Sequence, residues 1–404
     1  MVIGIDASRA NRKNKTGTEW YSFYLIKNLA LIDKNNTYIL YLDREPGEEI
    51  FEVIKDSKNF KIKVLNWPFT SFWTLGRLSL EMIFHSPDVL FVPAHGIPLI
   101  HPKRTINTIH DIAFLRELSV YRQEAPRAST KSRRRLIRFV IRLLTLGKHD
   151  GNSLDYLNWS TKFALKHASN IITVSNFTKS EIIENFPKVK AEKIKVVHNG
   201  FPADIFNEEK DTAKIAEVMR KYDIKQPYYL YVGRLEKKKN TSSLVEALAI
   251  IRSDYPEIKE RLLLIGNAGF GYDEVKYAIE EFNLNNDVIM PGWVEEQDMP
   301  SIFKGASAFI FPTKHEGFGI PVLQSLACGV TTAVSDIPVL HEVASEAVLY
   351  FNQNDRHDIA RAMAESVLNK ELKEKLLILG REQAKKFNWL SCAQETLAVL
   401  ENRF

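Results

Sequence analysis

One loop-forming run near the C-terminal end of the chain combines a carboxylate with glycines and the start of a helix. Glu316 precedes Gly317 and Gly319, and an amphipathic segment begins at Pro321. Proline is favoured in the first turn of a helix, and the free amides of that turn can receive a phosphate. Glu316 would repel a phosphate but suits the hydroxyls of a sugar ring. The run therefore predicts a sugar nucleotide as ligand.

A basic loop follows an earlier predicted strand, at residues 228–232. The strand leads into Gly233, and Arg234 and Lys239 follow five residues apart, so a loop can turn both into one cleft. An Arg fork and a Lys ammonium are suited to stabilise the charge that develops on a diphosphate as its bond to a sugar breaks. A solvated basic turn remains the alternative, since Lys239 ends a run of three lysines.

The elements that must position these residues alternate between strand and helix patterns in both halves of the chain. Such alternation predicts an α/β protein with parallel sheets, and two series predict two doubly wound, Rossmann-like domains. The length of 404 residues also exceeds one ordinary core. The predicted strands are 2–6, 38–42, 61–65, 89–92, 104–109, 170–174, 195–198, 228–232, 261–265, 287–290, 308–311, 331–333 and 347–350. The predicted helices include 19–31, 160–166, 243–253, 273–282, 300–304 and 321–327.

The domain boundary is expected in a Gly/Pro loop just after a strand, near Asn199, Gly200 and Pro202. Residues 1–200 and 201–385 would then form the two domains. Ligands of open α/β sheets bind beyond the carboxyl ends of the strands. We therefore expect the site in a cleft between two facing domains.

Composition narrows the class of protein. Hydrophobic content of 45% and charged content of 26% are typical of a soluble globular protein. The chain starts with a predicted strand instead of a signal peptide, which predicts a cytoplasmic location. The two cysteines provide neither a disulfide framework nor a metal site, and we expect both to be reduced and buried.

A basic amphipathic stretch spans residues 131–144, within a longer segment at 127–155. It predicts either peripheral contact with an anionic membrane or a solvated helix that packs on its own domain. A nucleic-acid partner is disfavoured, because the net charge of +5 comes without a recognition motif. Apolar side chains at helical spacing are Leu136, Phe139, Val140 and Leu143, and the arginines on other faces are Arg134, Arg135, Arg138 and Arg142.

Taken together, these motifs resemble those of the retaining glycosyltransferases of family 4, which have the GT-B fold. The resemblance covers nearly the whole chain and is strongest in the C-terminal half. The residues that carry it there are Gly233, Arg234, Lys239, Gly266, Pro291 to Val294, Glu316 to Gly329, Glu342 and Val343. In the N-terminal half they are Gly4 to Asp6, Thr16, Gly17, His110, Asp111, Val174, Ser175, Asn199 and Gly200.

The resemblance implies a donor site in the C-terminal half. Arg234 and Lys239 would bind the donor diphosphate, and Glu316 would bind the donor sugar. Backbone groups near Val294 would hold the nucleotide base. The amides that would bind the donor sugar and phosphate together with Glu316 are those of Phe318, Gly319 and Ile320.

Two residues of the N-terminal half are implied as well. Gly17, in the first loop, would let the backbone approach the phosphate, and His110, after a strand, would orient a donor hydroxyl. The N-terminal domain would bind the acceptor, and residues 386–404 would cross back to it as a helix. Closure of the cleft would bring Gly17 and His110 against the donor.

Gln324 departs from the family pattern, which usually has a second Glu eight residues after Glu316, on the ribose hydroxyls. A carboxamide still accepts a hydrogen bond through its oxygen. Loss of a charge-assisted bond should cost about 1 kcal/mol, or about fivefold in affinity. An altered nucleotide preference and lost catalysis both remain open.

The implied reaction is transfer of a sugar, with retention, from a nucleoside diphosphate sugar to a hydroxyl of a glycan or lipid-linked acceptor. We expect same-face attack, no cofactor and no metal ion, with the departing phosphate taking the acceptor proton. Mannosyl or glucosyl transfer for a bacterial surface polysaccharide or glycolipid is expected on family grounds. The alternatives are a non-catalytic sugar-nucleotide-binding partner of another glycosyltransferase and a sugar nucleotide epimerase. The epimerase is disfavoured, because it relies on a different carboxylate set that the sequence lacks.

Overall fold

A computed structural model of the chain describes residues 1–67, 73–115 and 153–403. The chain divides into two compact units. Unit 1 comprises Met1–Gly200 together with Trp389–Phe404, and unit 2 comprises Phe201–Asn388. The basic stretch 131–144 lies outside the described residues, as does most of the segment 127–155. Each described unit is a parallel α/β fold, which confirms the predicted fold class.

Unit 1 contains a seven-stranded parallel sheet in the order β3-β2-β1-β4-β5-β6-β7. Its strands are β1 (Val2–Asp6), β2 (Thr37–Leu42), β3 (Phe60–Val64), β4 (Val89–Val92), β5 (Thr105–Ile109), β6 (Asn170–Thr173) and β7 (Ile194–Val196). Its described helices before residue 200 are α1 (Gly17–Ile32), α2 (Glu48–Ile54), α3 (Ser79–Phe84), α4 (Ser153–His167) and α5 (Asn176–Asn185).

The sheet of unit 1 is buried at its centre. All residues of β4 and β5 are buried, as expected for parallel strands that are covered on both faces. The strand order reverses between β1 and β4, so their carboxyl ends open a crevice at this edge. Loops after β1, β4 and the neighbouring β5 therefore share one edge of unit 1.

The C-terminal helix, Trp389–Leu400, belongs to unit 1 and packs on α1. The indole of Trp389 stacks on Tyr24 with ring centroids 5.5 Å apart. Arg104 donates to the Leu400 carbonyl at 2.7 Å. Unit 2 ends at Asn388, whereas the sequence places the end of that domain at residue 385.

Unit 2 contains a six-stranded parallel sheet in the order β10-β9-β8-β11-β12-β13. Its strands are β8 (Tyr228–Val232), β9 (Arg261–Ile265), β10 (Val288–Gly292), β11 (Ala308–Phe311), β12 (Thr332–Ser335) and β13 (Leu349–Phe351). Its helices of seven or more residues are α6 (Thr212–Lys221), α7 (Thr241–Asp254), α8 (Tyr272–Glu281), α9 (Met299–Gly305), α10 (Ile320–Ala327), α11 (Pro338–Ala344), α12 (Arg356–Leu368) and α13 (Lys370–Ala384).

Three buried tyrosines fix the central strand of unit 2. The hydroxyls of Tyr228, Tyr229 and Tyr231 donate to backbone carbonyls at 2.7, 3.1 and 3.0 Å. Buried phenols need such partners, and these bonds tie β8 to the surrounding chain. The loop that follows β8 is thereby anchored at its first residues.

Both cysteines, Cys328 and Cys392, are free thiols buried in the fold, as expected from the sequence. Burial raises the pKa of Cys328 to about 12. In the part of the chain that the structure describes, no helix combines the length and apolarity needed to span a membrane.

Candidate functional site

The strand order of unit 2 reverses between β8 and β11, and the predicted donor residues lie on the loops after these two strands. Ligands bind at such reversal points because the connecting chains leave in opposite directions and open a crevice. Arg234 and Lys239 follow β8, and Glu316 follows β11. The topology thus brings together residues that are far apart in sequence.

Two glycines allow close approach of backbones at this edge. Gly233 and Gly266 have φ of +154° and +139°, a region that disfavours residues with side chains. A Cβ on Gly266 would lie 2.0 Å from the carbonyl oxygen of Gly233. The amide of Gly233 also donates to the Ile265 carbonyl at 2.9 Å. Glycine at position 266 is therefore a steric requirement of the loops after β8 and β9.

Backbone hydrogen bonds hold the two site loops side by side. The amide of Lys314 donates to the carbonyl of Lys238 at 2.9 Å. The Thr313 hydroxyl donates to the carbonyl of His315 at 3.0 Å, within the second loop. The side chains of Lys239 and Glu316 are thus presented from a shared backbone frame.

Lys239 and Glu316 form an ion pair between the loops. The exposed fractions of their side chains are 15% and 14%, so both charges are largely shielded from water. The ammonium group also lies 5.8 Å from the centroid of the Phe311 ring. A cation and a carboxylate are therefore held at one point of unit 2, where the sequence predicts binding of phosphate and sugar.

Arg234 is paired with a different carboxylate. Its guanidinium lies 3.3 Å from the buried Glu236, and 51% of the Arg234 side chain is exposed. Burial and the nearby charges of Glu316 and Glu236 raise the pKa of Tyr231, whose neutral hydroxyl donates to the Arg234 carbonyl. Glu236 was not among the predicted site residues, although an acid two residues after a predicted phosphate ligand was a usable signal.

Helix α10 begins directly after the second loop. Gly319 precedes it with φ of +107°, and Pro321 lies in its first turn. The helix starts at Ile320, one residue before the position that the proline predicted. Phe318 is buried and packs edge-on against Phe387 with centroids 5.7 Å apart. The first turn of α10 is thus anchored by an aromatic contact, and its amides suit an anion.

Gln324 and Val294 complete the predicted donor residues. Gln324 lies on α10, one turn after its start, with a partly exposed side chain. Val294 is buried and follows β10. The positions of Gln324 and Val294 are compatible with contacts to the ribose and the base respectively. These two roles stay predictions.

In unit 1, His110 directly follows β5. Its Nε2 lies 3.3 Å from the carbonyl of Pro93, so Nε2 carries the proton, because a carbonyl only accepts. Burial lowers the pKa of His110, which favours the neutral ring. Tyr21 packs edge-on against it with centroids 4.8 Å apart. The imidazole therefore has Nδ1 available as an acceptor.

The expected place of Gly17 needs a correction. Gly17 is the first residue of helix α1 and not a loop residue. The helix starts this early because Thr16 and Glu19 form a capping box, and Arg9 also binds Glu19 at 2.8 Å. Among the described residues, a Cβ built on Gly17 would meet no atom within 4 Å beyond its own chain neighbours and the adjacent backbone of the helix. Packing of the described residues therefore does not require glycine there.

Comparison with known proteins identifies the family. The sequence profile of "Glycosyltransferase Family 4" matches residues 16–204, and that of "Glycosyl transferases group 1" matches residues 211–383. The O-antigen chain mannosyltransferase B of Escherichia coli is 30% identical over 407 aligned residues, which cover 95% of each chain. The chain belongs to glycosyltransferase family 4. It is a glycosyltransferase of group 1 with the GT-B fold.

One further relative and one solved structure are similar to the chain. The O-antigen chain mannosyltransferase RfbU of Salmonella typhimurium is 24% identical over 303 residues, covering 75% of this chain and 71% of the relative. Anabaena Alr3699/HepE, solved in complex with UDP and glucose, superposes with a TM-score of 0.67 at 15% identity, covering 99% of both chains. The second likeness supports the fold.

Proposed function

We propose that this glycosyltransferase moves a mannosyl residue, with retention, from a nucleoside diphosphate mannose to a hydroxyl of a glycan or lipid-linked acceptor. The product would be part of a bacterial surface polysaccharide. The observation that carries the proposal is the Lys239–Glu316 ion pair at the reversal point of unit 2. The mannosyl part rests on the relatives, which act on O-antigen chains.

The chemistry follows from the charges at the site. Arg234, Lys239 and the first-turn amides of α10 would stabilise the departing diphosphate. Glu316 would bind hydroxyls of the donor sugar, and Gln324 the ribose. The departing phosphate would take the acceptor proton on the same face. The proposed reaction uses no cofactor and no metal ion, so a chelator should leave the rate of sugar transfer unchanged.

The first experiment measures calorimetric binding of GDP, UDP, ADP and dTDP to the wild type and to Lys239→Ala. We expect one nucleotide to bind and the variant to lose at least about tenfold in affinity, the value of one charged hydrogen bond. Lys237→Ala is the matched control, because Lys237 belongs to the same loop but pairs with the exposed Glu274 at 2.7 Å. Equal losses in both variants would contradict the role of Lys239.

Gln324 keeps a second function open, that of a non-catalytic sugar-nucleotide-binding partner of another glycosyltransferase. Mannose nucleotide and a mannoside acceptor, incubated with the enzyme, separate the two proposals. Transfer with an α-configured product, read by NMR, supports the enzyme. Nucleotide binding without transfer supports the partner.

The location is part of the proposal. A cytoplasmic enzyme that adds sugars to lipid-linked acceptors would work at the inner face of the membrane, through residues 131–144. Flotation with anionic vesicles tests this contact. Binding that is unchanged when Arg133, Arg134, Arg135 and Arg138 are replaced by Ser would contradict it.

A further inference from the structure

A short loop after β4 lies at the reversal point of unit 1. Its residues Ala94, His95 and Gly96 are partly exposed, between the buried Pro93 and Ile97. The neighbouring strand β5 holds this loop, because the side chain of Asn107 donates to the His95 carbonyl at 3.0 Å. His95 is therefore held at the edge where ligands of such sheets bind.

The hydrogen bonds around His95 determine its tautomer. Its Nε2 lies 2.6 Å from the Thr161 hydroxyl oxygen. That hydroxyl donates its single proton to the Leu157 carbonyl at 2.7 Å. The oxygen of Thr161 must then accept from His95, so Nε2 carries the proton. Nδ1 is left with a lone pair that can only accept.

The ring is neutral. Burial lowers the pKa of His95 to about 4, and the neighbouring His110 lowers it further against the opposing effect of Asp111. At neutral pH the imidazole thus carries no charge and attracts no anion. Such a weak base also holds a proton poorly during a reaction. Its chemistry is acceptance of a hydrogen bond.

Two neighbours have matching chemistry. Tyr156, on α4, is beside this loop, since a Cβ on Gly96 would lie 4.0 Å from its hydroxyl oxygen. Burial raises the pKa of Tyr156, so its phenol is a neutral donor. Among the described residues, neither this hydroxyl nor Nδ1 of His95 has a hydrogen-bond partner. His110, after the adjacent strand, presents the same tautomer.

We propose that Nδ1 of His95 accepts a hydrogen bond from a hydroxyl of the acceptor glycan and so positions it for transfer. The ligand class follows from the neutral acceptor nitrogens and the neutral phenol, which favour sugar hydroxyls over phosphates or carboxylates. This inference rests on the proposed function, because it names the group that holds the second substrate.

The test compares two substitutions that separate the nitrogens of the ring. In His95→Gln, the side-chain amide nitrogen can replace Nε2 as the donor to Thr161, but no acceptor remains at the position of Nδ1. In His95→Asn, the amide oxygen lies at the position of Nδ1 and can still accept. We expect His95→Gln to raise the KM for methyl α-D-mannoside about tenfold, as for one lost hydrogen bond, and His95→Asn to retain part of the acceptor binding. The donor KM should not change in either variant.

Three outcomes would overturn the inference. One is an acceptor KM of His95→Gln within twofold of the wild type, and another is an equal rise in both KM values. The third is a collapse of kcat at saturating acceptor with loss of the acid limb of the pH profile, which would indicate proton transfer by His95. Tyr156→Phe, which removes one hydroxyl only, should raise the acceptor KM in the same direction.

A binding measurement separates this inference from the proposed function. Absence of both nucleotide binding and transfer in the wild type would refute the proposed function. Saturation-transfer NMR with methyl α-D-mannoside would still decide the role of His95. A signal present in the wild type and lost in folded His95→Gln supports it. Equal signals in the two proteins, or none in the wild type, overturn it.

Discussion

The ammonium of Lys239 and the carboxylate of Glu316 pair across two loops that follow neighbouring strands of unit 2. Both side chains are mostly shielded from water, so the charges act on each other strongly. An arriving diphosphate would compete with Glu316 for Lys239. The carboxylate released in this way would then be available to sugar hydroxyls.

Opposite effects on nucleotide binding are expected from the two partners of this pair. Glu316→Gln removes a negative charge and should bind free nucleoside diphosphate at least as tightly as the wild type, whereas Lys239→Ala should bind it more weakly. Transfer by Glu316→Gln should fall about 10- to 100-fold, because a charged hydrogen bond to the sugar is lost. Calorimetry and initial rates measure both. Equal loss of nucleotide affinity in the two variants would show that Glu316 holds the nucleotide.

Replacement of Gln324 by Glu should strengthen nucleotide binding. A carboxylate accepts both ribose hydroxyls, and the gain should be about fivefold. Gln324→Ala should bind more weakly than the wild type. Gln297→Glu adds the same charge at an exposed position of unit 2 and serves as control. Identical affinities in all four proteins would exclude contact between Gln324 and the ribose.

Two glycines of unit 2 allow steric conflict to be separated from backbone strain. Gly266→Ala places a Cβ 2.0 Å from a carbonyl oxygen, while Gly292→Ala, at φ of +83°, meets no described atom within 4 Å. We expect losses in the free energy of unfolding of about 3 kcal/mol or more and about 1 kcal/mol respectively. Urea unfolding followed by circular dichroism measures both. Similar losses would mean that the loops after β8 and β9 move apart easily.

Acidification should destabilise unit 1 through His95. Its pKa of about 4 in the folded chain lies below the ordinary 6.5, so the unfolded chain binds more protons between these values. The stabilising effect is complete above about pH 6.5, and about 3 kcal/mol is lost as the pH falls to about 4. His95→Gln should lose less over this range, whereas the exposed His357→Gln should match the wild type.

Fluorescence reports on this prediction, because five of the six tryptophans belong to unit 1. Urea midpoints at pH 7, 6 and 5 would be compared. If the urea midpoint falls equally with pH in the wild type and in His95→Gln, the assigned proton uptake by His95 would be refuted. Because His110 also has a lowered pKa and remains in the variant, part of the slope should persist.

Most of the fold could be predicted from the sequence for one physical reason. Strands covered on both faces, such as β4, β8 and β11, read as short apolar runs, and helices with mixed composition separate them. The first and last residues of helices were predicted less accurately. Helix α1 begins at Gly17 and not at residue 19, because Thr16 and Glu19 cap it through their side chains.

The site was only partly predictable. Arg234, Lys239, Glu316 and Gly319 lie in loops that follow strands, and topology alone brings such loops together. The pairing of Lys239 with Glu316 joins residues 77 positions apart and depends on side-chain directions that no local pattern encodes. The tautomers of His95 and His110 likewise depend on distant partners, Thr161 on α4 and Pro93 after β4.

The C-terminal helix has a consequence for how the protein is made. Unit 1 draws on both ends of the described chain, whereas unit 2 is one continuous stretch between them. The residues that cover α1 are therefore synthesised only after the whole of unit 2. A chain truncated after Asn388 would keep all of unit 2 but leave α1 uncovered, and should bind chaperones that recognise exposed apolar surface.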